Sequence, residues 1–211
     1  MDLSRISEDL RAAFDAKTAA REETLAASRR SIRASANAIR AIHRGDLDEV
    51  HRLMGESRAA LEAGRAASQR TQPDIYFAGF LQDAQKEYAE ARLTEAVIVG
   101  AEAPAPDELG VEIAPYLNGM AEAIGEGRRA ILDLLRRGEV AAGERILAAM
   151  DDIYALLVTV DYPDAITGNL RRSTDVARGI LEKTRGDLTM SLVQGDLREA
   201  LDRHAREMRE G

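Results

Sequence analysis

Apolar residues in this chain recur every three or four positions, and nowhere does a period of two persist over the length of a strand. That pattern argues against a sheet and for helices. Ser4 or Ser7 can cap a first helix, with Glu8 and Asp9 following, and Leu25, Ile32, Ile39 and Ile42 carry it to Gly45. Asp46 caps a second, which runs through Leu47, Val50, Leu53 and Leu61 to about Ser68. Pro73 opens a third that reaches about Val99. The stretch "AEAPAPDELG" holds two of the five prolines and reads as a loop with room for one helical turn. Pro115 falls in the first turn of the next helix, which ends near Arg137 and Gly138. Another covers 140–160 and is closed by Pro163, and the last starts near Asp164 and continues toward Glu207. The expectation is a single all-α domain over 1–211, a bundle of six or seven helices, most of them long.

Composition agrees and excludes much else. Ala and Leu dominate, aromatics are 4% and Trp is absent, as befits helices. There are no cysteines, hence no disulfide framework, thiolate metal site or cysteine nucleophile. No apolar stretch resembles a signal peptide or spans a bilayer, so the expected location is the cytoplasm, without a membrane partner. The net charge of −8 argues against a nucleic-acid coat, but the charge is uneven. Residues 17–44 carry seven lysines and arginines against two glutamates. Two readings stay open for that run, a solvated face and a contact for a polyanion.

The segment "YLNGMAEAIGEGRRAIL" poses the sharpest question. Gly119, Gly125 and Gly127 sit inside a helix, where each costs about 1 kcal/mol relative to alanine. Between them Glu122 and Glu126 lie four residues apart, on one helix face. In the preceding helix, Phe80, Ala84, Tyr88 and Ala91 form an apolar stripe, and "KEYAEA" places Glu87 and Glu90 at its edge, three apart. Two helices can therefore present four carboxylates to one another. Such a group repels itself in a low dielectric and calls for a divalent cation. All-oxygen donors suit Mg²⁺ or Mn²⁺, which can activate water against a phosphodiester. The glycines leave space beside the acids, for a substrate or for another helix. The competing account is plain: such glutamate pairs are mostly solvated surface, and such glycines mostly serve close helix packing.

Other chemistry is weak. His43, His51 and His204 are scattered, and the Glu-x-x-His motif of di-iron bundles is absent. Asp48 and His51 have a metal-ligand spacing but sit at a helix start and read as structural. No nucleophile elbow, phosphate loop or dinucleotide fingerprint occurs.

Four segments in order, "SRRSIRASANAIRAIHRGD", "KEYAEA", "YLNGMAEAIGE" and "DYPDAITGNLRRSTDVARGILEKTRGDLT", resemble the translin/TRAX family, and most closely its TRAX-like branch with single-copy archaeal-type relatives. The resemblance runs from about residue 18 to 195. It implies a translin-like bundle assembled into a hollow homo-oligomer, an octamer, with RNA inside. It also implies the Mg²⁺-dependent ribonuclease of TRAX-like subunits. Glu87 and Glu90 match the family's first acidic pair, Glu126 its following glutamate, and Glu122 stands where the family often has Asp. The expected partner is single-stranded RNA, with single-stranded DNA as a second candidate. A shell acidic outside and basic inside would place Arg29, Arg30, Arg33, Arg171 and Arg172 against phosphate. Arg178 and Arg185 belong to the same C-terminal series as Arg171 and Arg172, which alternates with Asp175, Glu182 and Asp187 and could equally form ion pairs at subunit contacts. The alternative function is a non-catalytic shell that binds single-stranded RNA or DNA, as translin mainly does.

Overall fold

A computed structural model describes residues 2–69 and 73–210 of the chain. Among the described residues there are only helices and their connections. Six are long: α1 (Ser4–Arg44), α2 (Leu47–Gln69), α4 (Phe80–Val99), α6 (Ile113–Arg136), α7 (Val140–Leu157) and α9 (Leu170–Glu210). Three are single turns: α3 (Pro73–Tyr76), α5 (Pro106–Leu109) and α8 (Asp164–Thr167). The expected all-α bundle is what forms.

Local chemistry sets the ends. Gly45 takes the left-handed conformation at φ 72°, and its N–H reaches back to the carbonyls of Ala41 and Ile42, which stops α1. Asp46 Oδ1 accepts the amide of Glu49 at 3.2 Å and opens α2 as expected. The expected serine cap of α1 does not form. Instead Asp2 Oδ1 accepts both the amide and the hydroxyl of Ser4, at 3.0 and 2.7 Å.

Two expected helices are interrupted. The one opened by Pro73 breaks after Tyr76, where Gly79 has φ 98°, and resumes as α4. The last one breaks between α8 and α9, where Gly168 and Asn169 both adopt positive φ, 63° and 64°. Two successive left-handed residues cannot continue a right-handed helix. Asn118 of α6 pins this turn: its amide donates to the Thr167 carbonyl at 2.8 Å and its oxygen accepts the Ser173 hydroxyl at 2.8 Å. The start of α9 is thereby fixed beside α6.

Helix α6 is the centre of the bundle, packed by α4, α7 and α9, while α1 packs on α2 and α4. Its face of Leu117, Met120, Ile124 and Ile131 is buried against Leu81, Tyr88 and Leu93 of α4, Ile146 and Met150 of α7, and Leu181 and Leu188 of α9 within one apolar core. Both long outer helices outrun this core. Ile6, Leu10 and Phe14 of α1 and Val193, Leu197 and Leu201 of α9 lie exposed. Among the described residues no helix is long and apolar enough to cross a membrane.

Candidate metal centre

The glycines of α6 have three different surroundings. A Cβ at Gly119 would stand 2.6 Å from the carbonyl oxygen of Lys86 and 2.8 Å from the amide nitrogen of Glu90, so α4 and α6 touch backbone to backbone there. Gly127 admits Met150 of α7, whose Sδ would lie 2.9 Å from a Cβ. Gly125 has only Ile180 Cδ1, at 3.9 Å. Close helix packing therefore explains Gly119 and Gly127, and open space remains beside Gly125.

The contact at Gly119 fixes the register of the acids. Glu122 is one turn further along α6, on the same face, and so meets Glu87 and Glu90 of α4. One carboxylate oxygen from each of the three lies within 4.8 Å of the others. Glu90 is the most enclosed and Glu122 the most open. Burial first, and then the charges of Glu122, Glu87 and Glu126, push the Glu90 carboxyl up to about 8, against a pull from Lys86.

The fourth expected member stands apart. Glu126 Oε2 is bound to His43 Nε2 of α1 at 2.5 Å, and Arg129 Nη1 lies 3.6 Å away. The His43 hydrogen bond, opposed by burial and helped by the charges of His43 and Arg129, holds this carboxyl below its usual range. Glu90 of α4 and Glu126 of α6 are thus shifted in opposite directions.

Nor are the acids without a counterion. Lys86 Nζ donates to Glu122 Oε1 at 2.7 Å and lies 3.4 Å from Glu87 Oε1. Burial pulls this ammonium down, but the hydrogen bond and charge of Glu122, with Glu87, outweigh it and leave its pKa raised. Sequence reasoning passed over Lys86 and His43. The only signal for Lys86 was its place at the head of "KEYAEA". For His43 there was none, because its partner is supplied by the packing of α1 on α6.

The arginines divide. Arg172 lines a cavity of about 360 Å³ together with Glu90, Glu122, Ser173, Val176 and Ile180, so it faces the same space as the acids. Arg171 pairs instead with Asp161 at 3.0 Å. Arg178 pairs with Asp175 at 3.3 Å and Arg185 with Asp151 at 2.6 Å, both within the chain. Arg30 and Arg33 line a groove of about 480 Å³ between α1 and α2, with Asn37 and Glu56, and Arg29 is exposed nearby on α1.

Fold and site define a class: a helical bundle with a carboxylate cluster where two long helices meet, and a basic side chain in the adjoining cavity. Solved structures share that fold. The chain is similar to AfC3PO, with a TM-score of 0.79 and 34% identity over 89% of this chain and 97% of that one. AfC3PO in complex with duplex RNA gives 0.78 at 34% identity, over 89% and 96%. Apo-NeC3PO, at 20% identity over 90% and 97%, shares the fold with a TM-score of 0.76. The uncharacterized protein MJ0175 of Methanocaldococcus jannaschii is 35% identical over 189 residues, 89% of this chain and 83% of that protein. No family profile matches the chain. The chain belongs to the translin/TRAX family.

Proposed function

We propose that the chain is a divalent-metal-dependent endoribonuclease that cleaves single-stranded RNA by water attack inside a hollow homo-oligomer, an octamer by family resemblance. The observation that carries the reading is the convergence of Glu87, Glu90 and Glu122, from two helices, on the wall of a cavity that also holds Arg172. The donor set fits a hard cation, since all its atoms are carboxylate oxygens. The place also accommodates positive charge already, in the Lys86 ammonium. Glu87, Glu90 and Glu122 would hold Mg²⁺ or Mn²⁺, with Glu126 at the edge. When bound, the ion would neutralise phosphate charge and make a water more acidic.

The chain's own residues supply the rest. Glu90 must give up its proton before the three acids can hold a cation together, so cation and proton compete there. His43 keeps Glu126 turned toward α1. Arg172 brings a guanidinium to the cavity the acids open into, where it suits a phosphodiester. The exposed apolar faces at the start of α1 and the end of α9 support assembly, because such surface is normally covered by a partner.

A second reading is a shell that binds RNA or DNA without cutting it. It is favoured by Arg30 and Arg33, whose groove contains none of the clustered acids. The complex of AfC3PO with duplex RNA makes a duplex the second form of substrate to test. Labelled single-stranded and duplex RNA, incubated with Mg²⁺ or EDTA, decide between these. Cleavage is expected only with metal, leaving 5′-phosphate and 3′-hydroxyl ends. Glu87→Gln keeps the size of the side chain and removes its charge, so it is expected to lower the rate by at least about 100-fold, with RNA binding and oligomer mass retained. Metal-independent cleavage, 2′,3′-cyclic ends or full activity of the variant would falsify the enzyme reading. Binding without cleavage under all conditions supports the shell.

A further inference from the structure

We infer that Lys86 is the exchangeable counter-cation of this centre: without a divalent ion it neutralises Glu122 and Glu87, and with one it turns to the RNA phosphate. The inference rests on the metal-centre reading above. Three observations carry it. First, its ammonium lies between acids of two different helices, 2.7 Å from Glu122 Oε1 and 3.4 Å from Glu87 Oε1, and both acids belong to the cluster. It and a divalent ion therefore claim the same charge, and at this range two cations repel.

Second, the ammonium has a route out. Its side chain is 26% exposed and ends a flexible four-carbon stem carrying a point charge, not a rigid fork. Third, it has a place to go. A cavity of about 420 Å³ is lined by Lys86 and Glu122 with Asp83, Asn118, Ser173 and Glu112, the last already accepting hydrogen bonds from Tyr76, Gln82 and Gln85. Glu122 and Ser173 line this cavity and also the one containing Arg172. An RNA backbone passing Glu122 from one cavity to the other would meet Arg172 on one side and Lys86 on the other.

Removing the lysine charge should then act with opposite signs on two measurements. Metal binding should tighten, because a competing cation is gone. Cleavage should fall, because a phosphate contact is gone. A merely structural lysine would weaken both or neither. Mn²⁺ binding to the RNA-free oligomer is read from the electron paramagnetic resonance of free Mn²⁺, for wild type, Lys86→Met, Lys86→Gln and Lys86→Arg. The two neutral variants are expected to bind Mn²⁺ about tenfold more tightly and to cleave at least about tenfold more slowly at saturating Mn²⁺. Lys86→Arg, which keeps the charge, should retain the wild-type affinity. Unchanged or weaker Mn²⁺ binding by both neutral variants overturns the exchange, as does loss of folding in both, which would make Lys86 structural. Wild-type cleavage by Lys86→Met at saturating Mn²⁺ overturns the phosphate contact. Absence of Mn²⁺ binding in every protein, wild type included, overturns the metal centre itself and the lysine's role with it.

Discussion

Two helix seams of this bundle are chemically opposite. Where α1 meets α2, small side chains let the helices approach, and the buried polar groups are serines. Ser57 Oγ lies 2.8 Å from Ser31 Oγ and 2.8 Å from Ser35 Oγ, and 3.2 Å from the Ser31 carbonyl. Hydroxyls both donate and accept, so the three satisfy one another. Where α4 meets α6, the backbone contact at Gly119 gathers carboxylates, which when ionised can only accept. They cannot satisfy one another and must find a proton, an ammonium or a metal. A polar seam that closes on itself is architecture. One that gathers acceptors alone is the candidate site.

The comparison breaks first at glycine. Gly119→Ala sets a Cβ against backbone atoms of Lys86 and Glu90, which cannot swing aside. The expected cost is about 3 kcal/mol or more, the upper end for overpacking, with the triad spread and metal binding lost. Gly64→Ala, where α2 faces both α1 and α4, is the control. There the nearest atoms are side-chain carbons, Leu81 Cδ1 at 3.1 Å and Ala27 Cβ at 3.3 Å. Leu81 can shift, so a smaller loss, about 1 kcal/mol, is expected. Denaturant unfolding of both variants checks this, and equal losses would show that the α4–α6 contact is nothing special.

The next effect is on pH. Glu90 has its folded pKa raised to about 8 from an ordinary value of 4.5. The folded chain therefore holds this proton more tightly than the unfolded chain does. The stability linked to it is fully present below pH 4.5 and is lost as pH rises through about 8. Glu126 has the opposite sign: its lowered pKa gives stability above the ordinary value, lost as pH falls through the folded one. In EDTA, stability should decline from pH 5 to 8.5, and Glu90→Gln should flatten that decline. With about 1.4 kcal/mol for each pH unit over which only the folded chain keeps the proton, the difference between the two proteins should reach the order of 4 kcal/mol across the window. Parallel curves would mean that Glu90 is not held neutral by its neighbours.

How much of this was legible in the sequence follows from which facts belong to one helix. The long helices and the caps at Gly45 and Asp46 are local, and they were readable. The breaks at Gly79 and at Gly168–Asn169 are local too, but a glycine inside a periodic run does not announce a positive φ. Asn169 is of the type that, after glycine, takes one most readily, but a lone Asn is too common to mark a break. The pairs Glu87 with Glu90 and Glu122 with Glu126 were legible as faces of single helices. Which of the four would converge was not, because that depends on the rotation of α6 against α4 and on a tether from α1. Glu126 follows Glu122 by one turn, yet His43 draws it away. Lys86 was hidden for the same reason. Its partner Glu122 is 36 residues away, and the packing of α6 on α4 joins them.

The smallest effect sharpens the comparison most. Ser57→Ala removes the hydroxyl shared by Ser31 and Ser35, all three fully or almost fully buried. The loss should be about 1 kcal/mol, the net worth of a typical hydrogen bond. The figure stays small because a hydroxyl rotates, and in α1, the helix of Ser31 and Ser35, Ser28 and Thr24 already turn back to carbonyls four residues earlier, at 3.0 and 2.8 Å. Ser31 and Ser35 have that recourse when Ser57 is gone. Carboxylates have no such recourse, since no helix offers them a free donor four residues back. Ser57→Ala should therefore lower the unfolding midpoint slightly and leave Mn²⁺ affinity and RNA cleavage at wild-type values. A tenfold fall in either would mean that the α1–α2 seam also serves the site, most directly through His43 at the end of α1. The division between a seam that only holds and a seam that acts would then fail.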